Sequence, residues 1–272
     1  MSWNLQHGVA RADGRVDADG LSQAIAALDA DVLALQEVDR GQPRSGSLDL
    51  TALAAESMGA TEWRFQPTLI GDPARSWRPA DDADLDATPN AYGIALLSRH
   101  PVVRWHALRL EPASSFRAPV VDVRARTVHW IDDEPRAAIA ATIDAPLGPI
   151  TVASAHLTFV PGANARQLRQ VLPWLRALPG PRILLGDLNL PRGLVRAIAG
   201  AGVTMLARGA TYPMPSPLVQ LDHALGIPDE AASLPPAMQL PVERPAISDH
   251  LPVLVQLGDD AAARERGGRR SR

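Results

Sequence analysis

Apolar residues recur along this chain with two different periods, and these periods predict which segments fold as helices and which as strands. Leu21, Ile25 and Leu28 are three or four residues apart, which is typical of a helix that packs on one side. Helices are predicted at residues 16–28, 48–58 and 164–178. Short apolar runs bounded by proline or glycine predict strands at residues 32–35, 91–97, 102–110, 137–143, 150–156, 182–185 and 253–257. The pattern lacks the strict strand–helix–strand rhythm of a parallel sheet.

Polar side chains stand where several of these apolar runs end. Asp187 and Asn189 follow the strand at residues 182–185, and Glu37 and His156 close two other strands. Residues i and i+2 of a strand point to the same side, so Asp187 and Asn189 face one cleft if the extended backbone continues past the strand. A carboxylate beside an amide can hold a water molecule or a phosphoryl oxygen.

Seven short motifs carry these polar residues and follow one another along the chain. They are Trp3-Asn4, Gln36-Glu37-Val38, Leu97-Ser98-Arg99, Ala155-His156-Leu157, Gly186-Asp187-Leu188-Asn189, Leu221-Asp222-His223 and Ser248-Asp249-His250-Leu251-Pro252-Val253. Any one of them is weak, but in this order they resemble the endonuclease/exonuclease/phosphatase family of metal-dependent phosphoesterases. The resemblance spans residues 3–257. It implies an α/β fold of the DNase I-like type, a four-layer α/β sandwich in which two packed, mostly antiparallel sheets are flanked by helices.

The resemblance implies a divalent metal ion held by Asn4, Glu37 and Asp249. A metal ion assists phosphodiester hydrolysis because water must approach an anion and the leaving oxygen departs with negative charge. Oxygen ligands of this kind suit Mg²⁺, or Mn²⁺ in its place, and the chain contains no cysteine for a thiolate zinc site. The expected cofactor is therefore Mg²⁺ or Mn²⁺.

The family pattern also implies catalytic residues around the metal. Asp187 or His250 activates the attacking water, and the sequence leaves open which of them takes the proton. Asp222 is expected to orient the His250 imidazole, a pairing that fixes its tautomer and raises its pKa. Asn189 is expected to hold a phosphoryl oxygen. His156 is expected to donate to a non-bridging oxygen, where charge grows in the transition state.

Three residues are candidates for contacts with the substrate. Tyr92 matches a position where nuclease members place a phosphate contact, and a packing role is the alternative. Arg99 and Arg166 match positions where arginine recurs in the family, and arginine suits phosphate oxygens. A structural salt bridge is the alternative for each arginine. Arg136 resembles a motif of bacterial members, but no role for it follows from the sequence.

Composition and charge limit the expected partners. The basic end of the chain, residues 264–272, has a net charge of +4 against −3 for the whole chain, which leaves the remainder at −7. Two expected surface insertions, residues 71–90 and 110–135, carry net charges of −3 and −2. Repulsion from these acids disfavours a long nucleic acid as the substrate.

The expected organisation is one catalytic domain, residues 1–258, followed by a basic, disordered tail, residues 259–272. A monomer in the cytoplasm is expected because no export signal and no apolar stretch of membrane-spanning length is present. Export is left open, since Met1 lies only three residues before Asn4, inside the expected first strand.

We expect a hydrolase of phosphoester bonds, most of all phosphodiesters. The alternatives are a nuclease acting on DNA or RNA, a catalytically silent binding protein of the same fold, and a phosphodiesterase that acts on lipid headgroups. Trp77 and Trp130 in the two insertions keep the lipid alternative open. The identity of the substrate does not follow from the sequence.

Overall fold

Two β-sheets form the centre of the computed structural model. It describes residues 1–85, 89–112, 117–122, 127–229 and 232–258, and for residues 117–122 and 127–132 it describes the backbone alone. The first sheet has the strand order β1-β2-β5-β3-β4. Its strands are β1 (Ser2–Asn4), β2 (Val32–Arg40), β3 (Glu62–Asp72), β4 (Ser76–Pro79) and β5 (Ala91–Ser98).

The second sheet has the order β12-β13-β11-β10-β9-β6. Its strands are β6 (Val102–Arg109), β9 (Ala137–Ala145), β10 (Gly148–His156), β11 (Arg182–Asp187), β12 (Thr204–Met205) and β13 (Asp222–Ile227). Two hairpins complete the strands, β7 (Arg117–Asp122) with β8 (Thr127–Asp132) and β14 (Ala237–Leu240) with β15 (Leu254–Leu257). The β1–β2 and β10–β11 pairs are parallel, and the other pairs within the two sheets are antiparallel.

Helices cover the outer face of each sheet. They are α1 (Ala18–Leu28), α2 (Leu50–Met58), α3 (Ala163–Arg176) and α4 (Arg192–Ala199). Helix α2 illustrates local control by sequence, because the Asp49 side chain caps its first turn and Gly59 ends it with a left-handed backbone.

The alternation of side chains along the strands creates three apolar layers. In β2, Leu33 and Leu35 pack toward α1 and α2, whereas Ala34 packs between the sheets. In β11, Leu184 packs toward α3 and α4, whereas Leu185 packs between the sheets. Neighbouring residues of one strand thus serve opposite faces. The predicted four-layer sandwich is confirmed.

The sequence prediction was incomplete in several elements. Strand β3 and helix α4 were not predicted, and the segment around β3 carries exposed residues at its start that obscure the apolar run. Both expected insertions contain hairpin strands, β4 pairing with β3 in one and β7 with β8 in the other. The side chain of Trp130 and the whole predicted tail at residues 259–272 lie outside the described residues.

Hydrogen bonds between buried side chains fix one sheet against the other. Gln36 Nε2 in β2 donates to Ser154 Oγ in β10 at 3.1 Å. Asn4 Nδ2 at the end of β1 donates to Asp187 Oδ2 at the end of β11 at 3.0 Å. The carboxyl ends of β1 and β11 therefore meet at one edge of the sandwich. No helix in the described part of the chain has the length and apolar character needed to cross a membrane.

Candidate functional site

Three polar residues lie side by side at the edge of the second sheet. His156 in β10 is in register with Asp187 in β11, and Asp187 is in register with Asp222 in β13. His156 Nε2 lies 3.8 Å from Asp187 Oδ2. All three side chains are buried, so the register of the sheet gathers an imidazole and two carboxylates away from bulk water.

Gly186 permits the close strand pairing that holds Asp187. Its φ of 150° is unusual, and a Cβ at this position would lie 1.9 Å from the Ala155 carbonyl oxygen. Any larger residue would separate β10 from β11 and displace Asp187 from His156.

Asn189 does not continue the extended backbone, so the condition under which it would face one cleft together with Asp187 is not met. Its φ is 49°, a left-handed conformation. Its backbone N–H donates to Asp187 Oδ1 at 3.0 Å, and its side-chain amide donates to the Leu157 carbonyl at 2.9 Å. In this structure Asn189 orients the Asp187 carboxylate and has its amide nitrogen turned to the backbone.

His250 forms the centre of a second set of contacts. Its Nδ1 is 2.8 Å from Asp222 Oδ2, and its Nε2 is 3.8 Å from Asp187 Oδ2. The Tyr212 ring packs on the imidazole, with ring centroids 4.8 Å apart. Burial alone would lower the pKa of His250, but Asp222 and Asp187 outweigh burial and raise that pKa to about 10. Burial raises the pKa of Asp187 to about 6.

Glu37 reaches the same region from the first sheet. It does not end its strand as predicted, because β2 continues to Arg40 and Glu37 sits at a bulge with a φ of 55°. The bulge turns its side chain toward Asn4, whose Nδ2 donates to Glu37 Oε1 at 3.0 Å. The pKa of Glu37 is raised to about 7, first by burial and then by the nearby acids Glu134 and Asp249, against the lowering effects of Asn4 and His250.

The donor set fits a divalent cation. The acidic side chains of Glu37 and Asp249 both have pKa values raised first by burial, so a cation bound by them would offset the cost of their negative charges. Glu37 and Asp249 are half-buried and within reach of solvent. Asn4 Oδ1 accepts from the Gln6 backbone N–H, which leaves it a second acceptor position.

A different group of three residues also has metal-ligand chemistry. One ligand atom from each of Asp187, Asp222 and His250 lies within 4.8 Å of the others. The contact between Asp222 and His250 is already a hydrogen bond of ordinary length, so we interpret these three as a hydrogen-bonded network.

Arg136 is a functional candidate for which sequence reasoning gave no role. Its guanidinium is buried against the His156 ring, and Glu134 Oε2 lies 3.4 Å from its Nη2. Burial lowers the pKa of His156 well below its ordinary value, and Arg136 lowers it further. Tyr212 was also missed. It lies 38 positions before His250, and nothing in the sequence around either residue indicates that their rings are in contact.

The three predicted substrate contacts lie in different surroundings. Tyr92 is buried in β5, and the Arg44 guanidinium carbon lies 5.4 Å from the centroid of the Tyr92 ring. Burial raises the pKa of Tyr92 well above its ordinary value, and the nearby acids Glu134 and Glu37 contribute to the rise. Arg166 is exposed and donates to the Pro112 carbonyl. Arg99 lies at the opposite end of β5 and donates to Met58 O and to Asp29. These contacts favour a structural role for Arg99 over substrate binding.

His223 follows Asp222 in β13 and lies on the opposite face of that strand. Its Nε2 contacts the Leu190 carbonyl oxygen at 2.8 Å, and its Nδ1 lies 3.3 Å from the Gln220 amide. It is a buried packing residue.

A model of the endonuclease/exonuclease/phosphatase family matches residues 1–250, so the chain belongs to this family. The family includes metal-dependent phosphoesterases and nucleases. No curated protein sequence matches the chain.

Solved structures share the fold. An endonuclease/exonuclease/phosphatase protein from Beutenbergia cavernae is 25% identical, with a TM-score of 0.65 over 94% of this chain and 70% of that one. The human Nocturnin catalytic domain, solved with a bound sulfate anion, is 18% identical, with a TM-score of 0.53 over 88% and 83% of the two chains. A double mutant of the beta toxin of Staphylococcus aureus with bound magnesium ions is 12% identical, with a TM-score of 0.57 over 94% and 98%. The two more distant similarities show the fold alone.

Proposed function

We propose that this protein is a divalent-metal-dependent hydrolase of phosphodiester bonds in small substrates. One observation carries the proposal: two carboxylates, Glu37 from the first sheet and Asp187 from the second, accept hydrogen bonds from the one amide of Asn4, and Asp187 faces the imidazole that Asp222 holds. Withdrawing carboxylates from water costs free energy, so a purely structural protein gains nothing from such a set.

The residues that would hold the metal ion are Glu37 and Asp249, with Asn4 as a third ligand through its amide oxygen. When bound, Mg²⁺ or Mn²⁺ would supply Lewis-acid stabilisation of charge on the phosphate. The magnesium ions bound by the beta toxin, which shares this fold, support the choice of ion. Asn4 would keep Glu37 and Asp187 in fixed orientations through its two donated hydrogen bonds.

Asp187 and His250 would activate the water together. The Asp187 carboxylate is oriented by the Asn189 N–H and by Asn4, so its position does not depend on bound substrate. Asp222 holds the imidazole of His250 through Nδ1, and the other ring nitrogen, Nε2, is directed at Asp187. A water molecule in contact with Asp187 Oδ2 could lose its proton to Asp187 as it attacks phosphorus, while His250, kept protonated by its raised pKa, would donate a hydrogen bond from Nε2.

The acidic surroundings support a small substrate. Glu134, in the insertion at residues 110–135, lies close enough to Glu37 to raise its pKa. The insertion at residues 71–90 reaches the same end of the sandwich, since Arg40 at the end of β2 donates to the Leu85 carbonyl and Arg109 to Asp82. These acids would repel an extended phosphate backbone, whereas a single phosphodiester can be neutralised locally.

A panel of phosphoesters tests the proposal. The purified protein would be assayed with Mg²⁺ or Mn²⁺ on a chromogenic diester, nucleotides, sphingomyelin, inositol phosphates, and single- and double-stranded DNA, with Asp187→Asn as the blank for contaminants. We expect metal-dependent turnover of a small diester that the blank lacks. The hydrolase proposal would be wrong if the folded protein turned over none of these substrates. Strong duplex cleavage with a steep loss of affinity on adding salt would overturn the small-substrate part alone.

A further inference from the structure

A buried cation lies over the face of the His156 ring. Arg136 Nη1 is 2.8 Å from His156 Nδ1 and 3.1 Å from His156 Nε2. The two ring nitrogens flank a single carbon, so an atom this close to both would overlap that carbon if it lay in the ring plane. The guanidinium therefore contacts the face of the imidazole.

The surroundings of the Arg136–His156 pair disfavour a second positive charge beside the guanidinium. His156 is 4% exposed and Arg136 is 6% exposed, so water screens their interaction poorly. Arginine stays protonated in proteins, and a protonated His156 would place two positive charges in contact. Arg136, Asp187 and His250 are the charged groups that act on His156, and Arg136 itself lies near Glu134, Tyr92, Asp133 and Glu37. Asp187 would favour a protonated His156, but it also faces His250.

We propose that Arg136 is a positioning residue that keeps His156 a neutral imidazole, so that His156 meets the substrate as an uncharged hydrogen-bond donor. This inference rests on the proposed function, which places a phosphate oxygen next to His156. It deepens that function by assigning the positive charge beside the phosphate to Arg136. The low pKa of His156, caused first by burial and then by Arg136 and His250, agrees with the geometry. A neutral donor stabilises charge on the phosphate without giving up its proton.

NMR of protein whose histidines are labelled with ¹⁵N allows a direct test. Long-range proton–nitrogen spectra distinguish a neutral imidazole from an imidazolium, and His156→Gln assigns the signals. We expect the wild-type His156 to keep the neutral pattern down to the pH at which the protein unfolds, with or without Mg²⁺. In Arg136→Gln the midpoint of its titration should move to higher pH. Arg136→Lys retains a cation and should keep the wild-type pattern.

Glu134→Gln is the matched control, because it removes a charge beside Arg136 and leaves the cation over the ring. It should leave His156 neutral. Imidazolium signals from wild-type His156 at neutral pH would overturn the proposal, as would an unchanged titration in a folded Arg136→Gln variant. Arg136→Met, which keeps much of the side-chain volume and removes the charge, is the second variant should Arg136→Gln fail to fold, and the same rise in the titration midpoint of His156 is expected from it.

Kinetics provide a second measurement. A positioning role predicts a fall of at least ~10-fold in kcat for Arg136→Gln with most of it recovered in Arg136→Lys. If the protein hydrolysed none of the phosphoesters tested, the proposed function would fail while the NMR result on His156 stood by itself.

Discussion

The two ends of the sandwich use charged residues in different ways. At the end remote from the site, Arg99 lies 2.8 Å from Asp29 and Arg182 lies 2.6 Å from Asp229, and both guanidinium groups also donate to backbone carbonyls. At the site end, Glu37 accepts a hydrogen bond from the Asn4 amide and lies near the imidazole of His250 and two further acids, Glu134 and Asp249, whereas each acid at the remote end is bonded to an arginine.

This difference separates stability from function. A guanidinium that bonds both a carboxylate and a carbonyl satisfies its donors and ties two segments together. A buried carboxylate without an arginine costs free energy and is retained where it can bind a cation or activate water. Substitutions at the site end should therefore affect activity, and those at the remote end should affect stability.

Removal of the metal ion should have the largest effect. Chelation should reduce activity to below about one hundredth, because oxygen ligands bind magnesium weakly and the charge on the phosphate would lose its main stabiliser. Glu37→Gln should raise the Mg²⁺ concentration needed for half-maximal activity by at least ~10-fold, measured in a metal titration. Glu56→Gln, on the exposed face of α2, is the control. Activity that survives exhaustive EDTA treatment would contradict the metal assignment.

Loss of the water-activating residues comes next. Asp187→Ala and His250→Ala should each lower kcat by at least ~10²-fold, since each removes an acid–base or electrostatic group. His100→Ala, next to Arg99 at the remote end, serves as the control and should retain wild-type kcat. Circular dichroism would verify the fold of all three. A loss below ~10-fold in either site variant would place that residue outside the chemistry.

A smaller effect is expected from the residue that orients His250. Asp222→Asn should cost less than His250→Ala, because an amide still contacts Nδ1 at the 2.8 Å position while the imidazole remains. In the double variant, Asp222→Asn should add little to the loss caused by His250→Ala, because both act through one imidazole. Additive losses in kcat would show that the two residues act independently.

Much of the site could be predicted from sequence because its residues stand at the ends of apolar strands. The pattern placed His156 at the end of one strand and Asp187 directly after another, and the register of β10 with β11 brings these two ends together. What the pattern could not supply was backbone conformation. The bulge at Glu37 and the left-handed Asn189 depend on how each strand pairs with its neighbours, which single-strand periodicity does not contain.

Contacts between residues far apart in sequence were also beyond prediction. The Arg136 guanidinium over His156 joins two strands of the second sheet, and Tyr212 meets His250 across a loop. Arg99 was a candidate for a substrate contact because arginine recurs at that position in the family, with a structural salt bridge as the alternative. Its distance from the site follows from the antiparallel pairing of β5 with β2, which places Ser98 opposite Val32 at the far end from Glu37.

The smallest effect on activity is expected at the remote end, where Arg182→Met removes the ion pair with Asp229 and the hydrogen bond to the Leu178 carbonyl. The methionine can fill the apolar part of the space, but the carbonyl and the carboxylate lose a charged partner, so the free energy of unfolding should fall by about 2 kcal/mol. Chemical denaturation would measure this loss, while kcat/KM at a temperature where both proteins are folded should stay within ~2-fold of wild type. Asp187→Asn is expected to have the opposite effects. It neutralises a buried carboxylate, so the free energy of unfolding should be unchanged or increased while activity is lost. If Arg182→Met lowered kcat/KM as strongly as Asp187→Asn does, the separation of the two ends into a stabilising and a catalytic region would be wrong.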